Sequence, residues 1–339
     1  GGGGAKVPAP VLRRALDRLP PQHADGLDQG LDSPDDAAVL SPPPGKALIQ
    51  TVDQFRAFID DPYLFGRIAA NHCLGDIFAM GADAHSALAA VMLPHGEDDK
   101  TSDDLYQLLA GATETLAEAG AVLAGHTGEG SEMAFGLTVN GYAERDEILR
   151  KSGLQAGDIL ILTKPLGTGV LFAADMRAKA NGDHVTRAFA SMQRSLAPCI
   201  PVIRRHGATA GTDVTGFGLA GHMLEMLNAS DVDAELKLDA LPVLPGVAEL
   251  VALGHESTLR PSNEESVGNA VPLSAHPSFP LLFDPQTAGG LLFGVPADQA
   301  EACCAELRAG PAPDARIIGR ITPRRGSVGV VRFTDETKS

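Results

Sequence analysis

Acidic residues stand in this sequence where a core-building segment would not choose them. Asp35 and Asp36 immediately precede the apolar run Ala37-Ala38-Val39-Leu40, and Asp53 ends the strand-like ALIQTVD. Asp76 sits inside a helix-like stretch from Pro62 to Met80. At ~100° per residue it falls on the stripe of Phe65, Ala69, Cys73 and Met80. An ionised carboxylate on an apolar stripe requires a partner or a metal, because isolated burial of a charge is costly; the plainer alternative is a surface or capping acid. Asp213, in Gly211-Thr212-Asp213-Val214-Thr215-Gly216-Phe217-Gly218, either belongs to such a set or caps the next helix. Together these acids suit a hard cation, since magnesium takes oxygen ligands and is held by a few carboxylates plus substrate phosphates. Clustered metal ions also neutralise an oligophosphate during phosphoryl transfer. Gly125-His126-Thr127 either offers backbone N–H groups and a hydroxyl to phosphate oxygens or is only a turn.

Other nucleotide chemistries are excluded by what is missing. There is no GxxxxGK[ST] loop, no dinucleotide fingerprint after the first strand, and no HRD or DFG set. His126 and His222 lack a Ser or Cys triad setting in the sequence. The residues alone thus define an α+β protein with acids able to hold metal and phosphate, and they leave the substrate open.

The elements that must position these acids alternate between strand and helix. Strands are expected over Ala37–Leu40, Ala47–Val52, Ala87–Leu93, Ala121–Ala124 and Phe135–Ala143. A helix is expected over Pro62–Met80, capped by Asp60 or Asp61, and another from a Ser102 cap to about Ala119. A second unit opens with the buried strand Asp158–Thr163 and a helix over about Gly169–Lys179. It continues with a helix over Thr186–Ile203 interrupted near Pro198, then the helix Leu219–Leu227. Strand Ala234–Leu238, helix Val247–Leu253 and a long polar loop over His255–Ser278 follow. Strand Leu291–Val295, helix Ala297–Leu307 and two short strands close the chain. Three regions result: a flexible Gly-rich arm and lead-in over 1–30, an N-terminal domain over 31–155, and a C-terminal α+β domain over 156–339.

Composition narrows the partners. The formal charge of −16, from 43 acids against 27 Lys and Arg, argues against a nucleic-acid surface, which needs clustered basic residues. It permits a phosphate substrate if divalent ions bridge carboxylates to it. No apolar run approaches the ~20 residues of a membrane helix. Cys73, Cys199, Cys303 and Cys304 have no CxxC or zinc-like spacing and read as buried, inert thiols of a reducing, cytoplasmic compartment. The sequence opens on Gly1-Gly2-Gly3-Gly4 with no initiator Met, so the expectation is that a natural start was trimmed, processed or excised.

Eight blocks then carry a resemblance: GAKV, SPDDAAVL, TVDQF, DPYLFGRIAANHCLGDIFAMGA, LAGHT, LTKPLGTGVL, GTDVTGFGLAGH and DPQTAGGLL. In this order, from Gly1 to about Phe333, the chain resembles the selenophosphate synthetases. The resemblance implies a two-domain aminoimidazole ribonucleotide synthetase-like α+β fold. Its N-terminal domain would dimerise through a β-barrel, and its C-terminal domain would be an α+β sandwich. It implies conversion of ATP, selenide and water to selenophosphate, AMP and phosphate, for selenocysteine and selenouridine biosynthesis, by a cytoplasmic homodimer. It further implies that Asp36, Asp76 and Asp213 bind Mg2+. Ser33, Pro34, Asp35, Asp53, Asp76, Gly125, His126 and Thr127 would contact ATP, and Lys6 would be the essential lysine of the arm. The chain departs from the family at Gly3, where Cys or selenocysteine is usual, and at Ala5, often a second Cys. Gly has no nucleophile to carry selenium. Two further readings follow from that departure: an ATP-binding paralogue without selenide activity, or another ATP-dependent kinase of the superfamily.

Overall fold

A computed structural model describes residues 7–31 and 37–334, without the side chains of residues 125–127 and 129. The chain divides into two compact units, Gly1–Ile148 and Leu149–Ser339. The first unit runs α1 (Ala9–Leu16), β1 (Leu27–Gln29), β2 (Val39–Leu40), β3 (Ala47–Arg56), α2 (Pro62–Ala79), β4 (Asp83–Pro94), α3 (Asp98–Glu118), β5 (Val122–Gly130) and β6 (Ala134–Ala143). Four strands form one sheet in the order β3-β6-β4-β5, antiparallel except for the parallel β4–β5 pair. Strand β3 alternates: Ile49, Thr51, Asp53 and Phe55 are half-buried, whereas Leu48, Gln50, Val52 and Gln54 are exposed. The core lies between the inner sheet face and the two long helices, around Phe65, Ile68, Leu74, Leu105, Leu108 and Phe135, all fully buried.

Helix α2 begins where Asp61 Oδ1 accepts the Leu64 N–H at 3.1 Å and Pro62 fills the first turn. It ends at Met80, ahead of Gly81 at φ +70°. Its neighbour α3 approaches to backbone contact. A Cβ on Gly66 would stand 2.1 Å from Leu108 O, and one on Gly111 would stand 2.1 Å from Tyr63 O. Glycine at these two positions lets the helices touch and fixes the height of α2 over the sheet.

The structure corrects several expected boundaries. Helix α3 starts at Asp98 after an N-cap at Glu97; Asp98 and Asp99 favour that end through the helix dipole, and Ser102 is buried within it. Strand β5 runs on to Gly130, so Gly125-His126-Thr127 is strand rather than a turn, paired in register with Ala89, Ala90 and Val91. Of the expected arm, residues 1–6 lie outside the described residues. Residues 9–16 form α1, which joins α3 through Arg14–Asp99 at 2.6 Å, while Arg18, just beyond, reaches Asp103 at 3.0 Å.

The second unit contains β7 (Ile159–Leu162), α4 (Thr168–Asp175), α5 (Gly182–Gln193), α6 (Cys199–Arg205), β8 (Ala210–Asp213), α7 (Gly218–Ser230) and β9 (Val232–Leu236). It continues with α8 (Val247–Ala252), α9 (Arg260–Val267), β10 (Leu291–Val295), α10 (Ala300–Ala309), β11 (Arg316–Pro323) and β12 (Val331–Phe333). Its six-stranded sheet has the order β12-β9-β11-β7-β10-β8. The loop expected over His255–Ser278 contains helix α9, whose Asn263 and Val267 are its buried residues. The helix expected over Thr186–Ile203 is interrupted at Pro198 as expected, the second piece starting at Cys199, while the first starts earlier, at an Asn181 cap. Both units mix strands and helices, and among the described residues no sheet closes into a barrel. All four cysteines are buried and free, and burial pushes Cys199 up to about 11 and Cys303 to about 12. Among the described residues no helix is long and apolar enough to cross a membrane.

Candidate functional site

The inward side of β3 and the facing side of α2 bring two carboxylates together. Thr51 and Asp53 share a strand face by their spacing of two, and Asp76 comes from the last turn of α2. Thr51 Oγ1 donates to Asp76 Oδ2 at 2.5 Å. Burial first, and the negative charge of Asp76 second, raise Asp53 to about 6. The Cys73 thiol, one turn before Asp76, lies 3.9 Å from the Asp53 carbonyl oxygen and is pushed far up by burial first and Asp53 second. Repelling carboxylates in a partly buried setting form an all-oxygen donor set that a hard cation relieves, so the residues present fit magnesium.

The structure thus pairs Asp53 with Asp76. Gly3, Lys6, Ser33, Pro34, Asp35 and Asp36 lie outside the described residues. Gly125, His126 and Thr127 lie on β5, an edge strand of the sheet, so one side of their backbone has no strand neighbour among the described residues. Asp213 belongs to the second unit. It is the last residue of β8, is 6% exposed, and stands opposite Leu291 on β10. It does not cap α7, whose N-cap is Phe217 with no side-chain bond.

Around Asp213, three of the sequence blocks converge within the second unit. Val214 N–H bonds Gly290 O at 2.8 Å, and Gln286 N–H bonds Thr215 O at 3.0 Å. Gln286 Oε1 accepts the Gly167 N–H at 3.1 Å, and Asp284 Oδ2 accepts the Gly169 N–H at 3.1 Å, so the DPQTAGG segment holds the start of α4 as well. Asp284 is fully buried, and burial raises it to about 7 against the hydrogen bonds that lower it. Lys164, also buried, donates to Arg194 O at 2.8 Å and Ala288 O at 3.0 Å; burial lowers it to about 7. Gly289 has Val214 O 1.9 Å from where a Cβ would stand, which requires glycine at this crossing. Thr51 and Thr215 were missed in the sequence reading, because a hydroxyl in an alternating strand or a glycine loop carries no signal of its own.

The domain descriptions of AIR synthase related protein match both halves, the N-terminal domain over residues 34–143 and the C-terminal domain over 155–332. The selenide, water dikinase of Nitratidesulfovibrio vulgaris (strain Hildenborough) is 39% identical over 328 residues, covering 93% of this chain and 92% of that protein. That of Clostridioides difficile (strain 630) is 35% identical, covering 96% and 94%. Solved structures share the fold at lower identity. A thiamine-monophosphate kinase from Stenotrophomonas maltophilia K279a has a TM-score of 0.69 at 21% identity, covering 96% of this chain and 95% of that one. The hydrogenase maturation protein HypE in complex with ATP has a TM-score of 0.69 at 20% identity, covering 97% and 90%. The chain belongs to the selenide, water dikinases, the selenophosphate synthetases of the AIR synthase related family.

Proposed function

We propose that this chain makes selenophosphate from ATP, selenide and water, releasing AMP and phosphate. The supporting observation in the structure is the Asp53–Asp76 pair, whose mutual repulsion and partial burial suit a cation carrying a polyphosphate. Asp36, Asp76 and Asp213 would hold magnesium, which when bound neutralises triphosphate charge. Thr51 orients the Asp76 carboxylate through its 2.5 Å hydrogen bond. Ser33, Pro34, Asp35 and Asp53 would line the nucleotide. The β5 backbone at Gly125, His126 and Thr127 would offer N–H groups to phosphate oxygens from the open edge of the sheet. Lys6 would add a single ammonium to the same oxygens. Selenide takes the γ-phosphoryl group, and the remaining ADP is hydrolysed.

The working form in this reading is a cytoplasmic homodimer. Its support is the outer face of the β3-β6-β4-β5 sheet, where Leu48, Val52, Leu88 and Met92 are 52%, 69%, 44% and 36% exposed. Val52 and Leu88 both pair with Thr138 in register, so the two aliphatic groups lie on one face on either side of a threonine. Association of two such faces would build a barrel, which no sheet forms alone among the described residues.

Phosphorus NMR with ATP, Mg2+ and selenide under anaerobic conditions tests the reaction, in this chain and in its Gly3→Cys form. Selenophosphate and AMP are expected in equal amounts. A Gly3→Cys protein that yields no selenophosphate, or stops at ADP with no need of selenide, would overturn the reading.

A further inference from the structure

Starting two residues beyond Asp213, a hydroxyl, an imidazole and a carboxylate follow one another in space. Thr215 Oγ1 is 3.1 Å from His222 Nε2. His222 projects from the second turn of α7 and is 6% exposed. Its Nδ1 is 3.7 Å from Oε2 of Glu225, three residues further along the same helix face. That separation is too long for a hydrogen bond to neutral imidazole but within the reach of a charge contact to imidazolium. Glu225 is 38% exposed and also bonds Lys151, so the outer end of the line opens to solvent. Phe217 lies across the ring, centroids 5.5 Å apart, and is itself 61% exposed. The inner end, Thr215, is half-buried in the loop that follows Asp213.

The loop does not depend on His222 for its shape. Gln286 N–H and Gly218 N–H both bond Thr215 O, Val214 N–H bonds Gly290 O, and Asn263 Nδ2 bonds Gly216 O at 2.8 Å. Gly218, at φ +74°, leaves a Cβ no room beside Leu282 O and so fixes the turn into α7. With the backbone held by four other contacts, the buried imidazole is spare for chemistry. Hydroxyl, imidazole and acid in this order form the arrangement in which a base draws a proton through a hydroxyl and the acid stabilises the resulting imidazolium.

We propose that Thr215, His222 and Glu225 are a proton relay for the water-consuming half of the reaction, the hydrolysis of ADP to AMP and phosphate. This rests on the reading that Asp213 stands at the polyphosphate. Water attacks the β-phosphorus, a new O–P bond forms, and the bridging oxygen leaves with AMP. The water proton passes to Thr215 Oγ1 as the hydroxyl's own proton passes to His222 Nε2, in the tautomer that carries its other proton on Nδ1. Glu225 stabilises the imidazolium until the proton leaves to solvent. His222 acts through Thr215 and is a positioning and relay residue, not one that touches the nucleotide.

The test follows AMP, ADP and selenophosphate separately in this chain and in its Gly3→Cys form. Gln in place of His222 keeps a polar group at the Nε2 position but takes no proton. In His222→Gln, AMP formation should fall by about 100-fold, with ADP accumulating one-for-one with selenophosphate and KM for ATP unchanged within about twofold. Thr215→Val should do the same, and Thr215→Ser should restore AMP formation. If AMP and selenophosphate fall together, or if His222→Gln forms AMP at the unsubstituted rate, the relay is overturned. Absence of selenophosphate from both unsubstituted backgrounds would overturn the reaction reading instead.

Discussion

The Thr51 hydroxyl donates to Asp76 Oδ2 at 2.5 Å and so ties the inner face of β3 to the last turn of α2. One carboxylate oxygen of Asp76 is thereby directed by the sheet and not by its own helix. Thr51→Val should leave the carboxylate free to turn and should raise the Mg2+ concentration giving half-maximal activity by about tenfold, the order of a supporting hydrogen bond to a metal ligand. Thr51→Ser should stay within about twofold. Activity titrated with Mg2+ at fixed ATP reads both, and an unaltered Thr51→Val titration would remove Thr51 from the site.

Asp53 gives a pH signature. Its folded pKa, about 6, lies above the ordinary 3.8, so the folded form binds the proton more tightly. The stability it contributes is fully present below 3.8 and is lost as pH rises through about 6. Without Mg2+, the melting temperature of the unsubstituted protein should therefore drop relative to Asp53→Asn between pH 4.5 and 7. Adding Mg2+ at pH 7 should recover more of it in the unsubstituted protein than in the variant.

Lys164 and Asp284 should oppose one another. Asp284, raised to about 7, contributes stability present below 3.8 and lost as pH rises through 7. Lys164, lowered to about 7, contributes stability present above 10.5 and lost as pH falls through 7. In denaturant titrations the advantage of the unsubstituted protein over Lys164→Met should widen from pH 7 to 10. Relative to Asp284→Asn, the unsubstituted protein should lose ground from pH 4 to 7. A difference that is flat in either comparison would contradict the assignment for that group.

The backbone contact between α2 and α3 predicts a steric cost. Gly66→Ala or Gly111→Ala should each destabilise by about 1–3 kcal/mol, because the added methyl meets a carbonyl oxygen and not a side chain that can move. Both should also raise the Mg2+ concentration giving half-maximal activity through displacement of Asp76, read by thermal unfolding alongside the Mg2+ titration.

For the exposed sheet face, Val52→Glu or Leu88→Lys should shift the protein to monomer in light scattering, with its secondary structure intact by circular dichroism. A variant that stays dimeric would place the interface elsewhere.

Long patterned elements were legible in the sequence. The α2 helix followed from Asp61, Pro62 and the apolar stripe, and the Leu291–Val295 strand appeared with its expected bounds. Helix α9 was hidden because Arg-Pro-Ser-Asn-Glu-Glu-Ser has no apolar period, and tertiary burial of Asn263 and Val267 forms it instead. The extension of β5 through Gly125-His126-Thr127 was hidden because Gly125-His126 reads as a turn, whereas pairing with β4 carries the strand onward. Asp76 announced itself as a carboxylate on an apolar stripe, but its partner did not. Thr51 lies 25 residues earlier, and only the packing of α2 on β3 brings it near. The same holds for Thr215 and His222, whose meeting depends on the turn at Gly218.

Strand β3 carries Thr51 and Asp53 on one side and Leu48 and Val52 on the other. With a side-chain repeat of two, a single inserted or deleted residue before Thr51 would exchange these sets. In the proposed reading, Thr51 and Asp53 would then face the partner molecule while the aliphatic groups filled the nucleotide side. In that reading assembly and chemistry are written into alternate letters of one ten-residue segment, so a frame change in it would disable both at once.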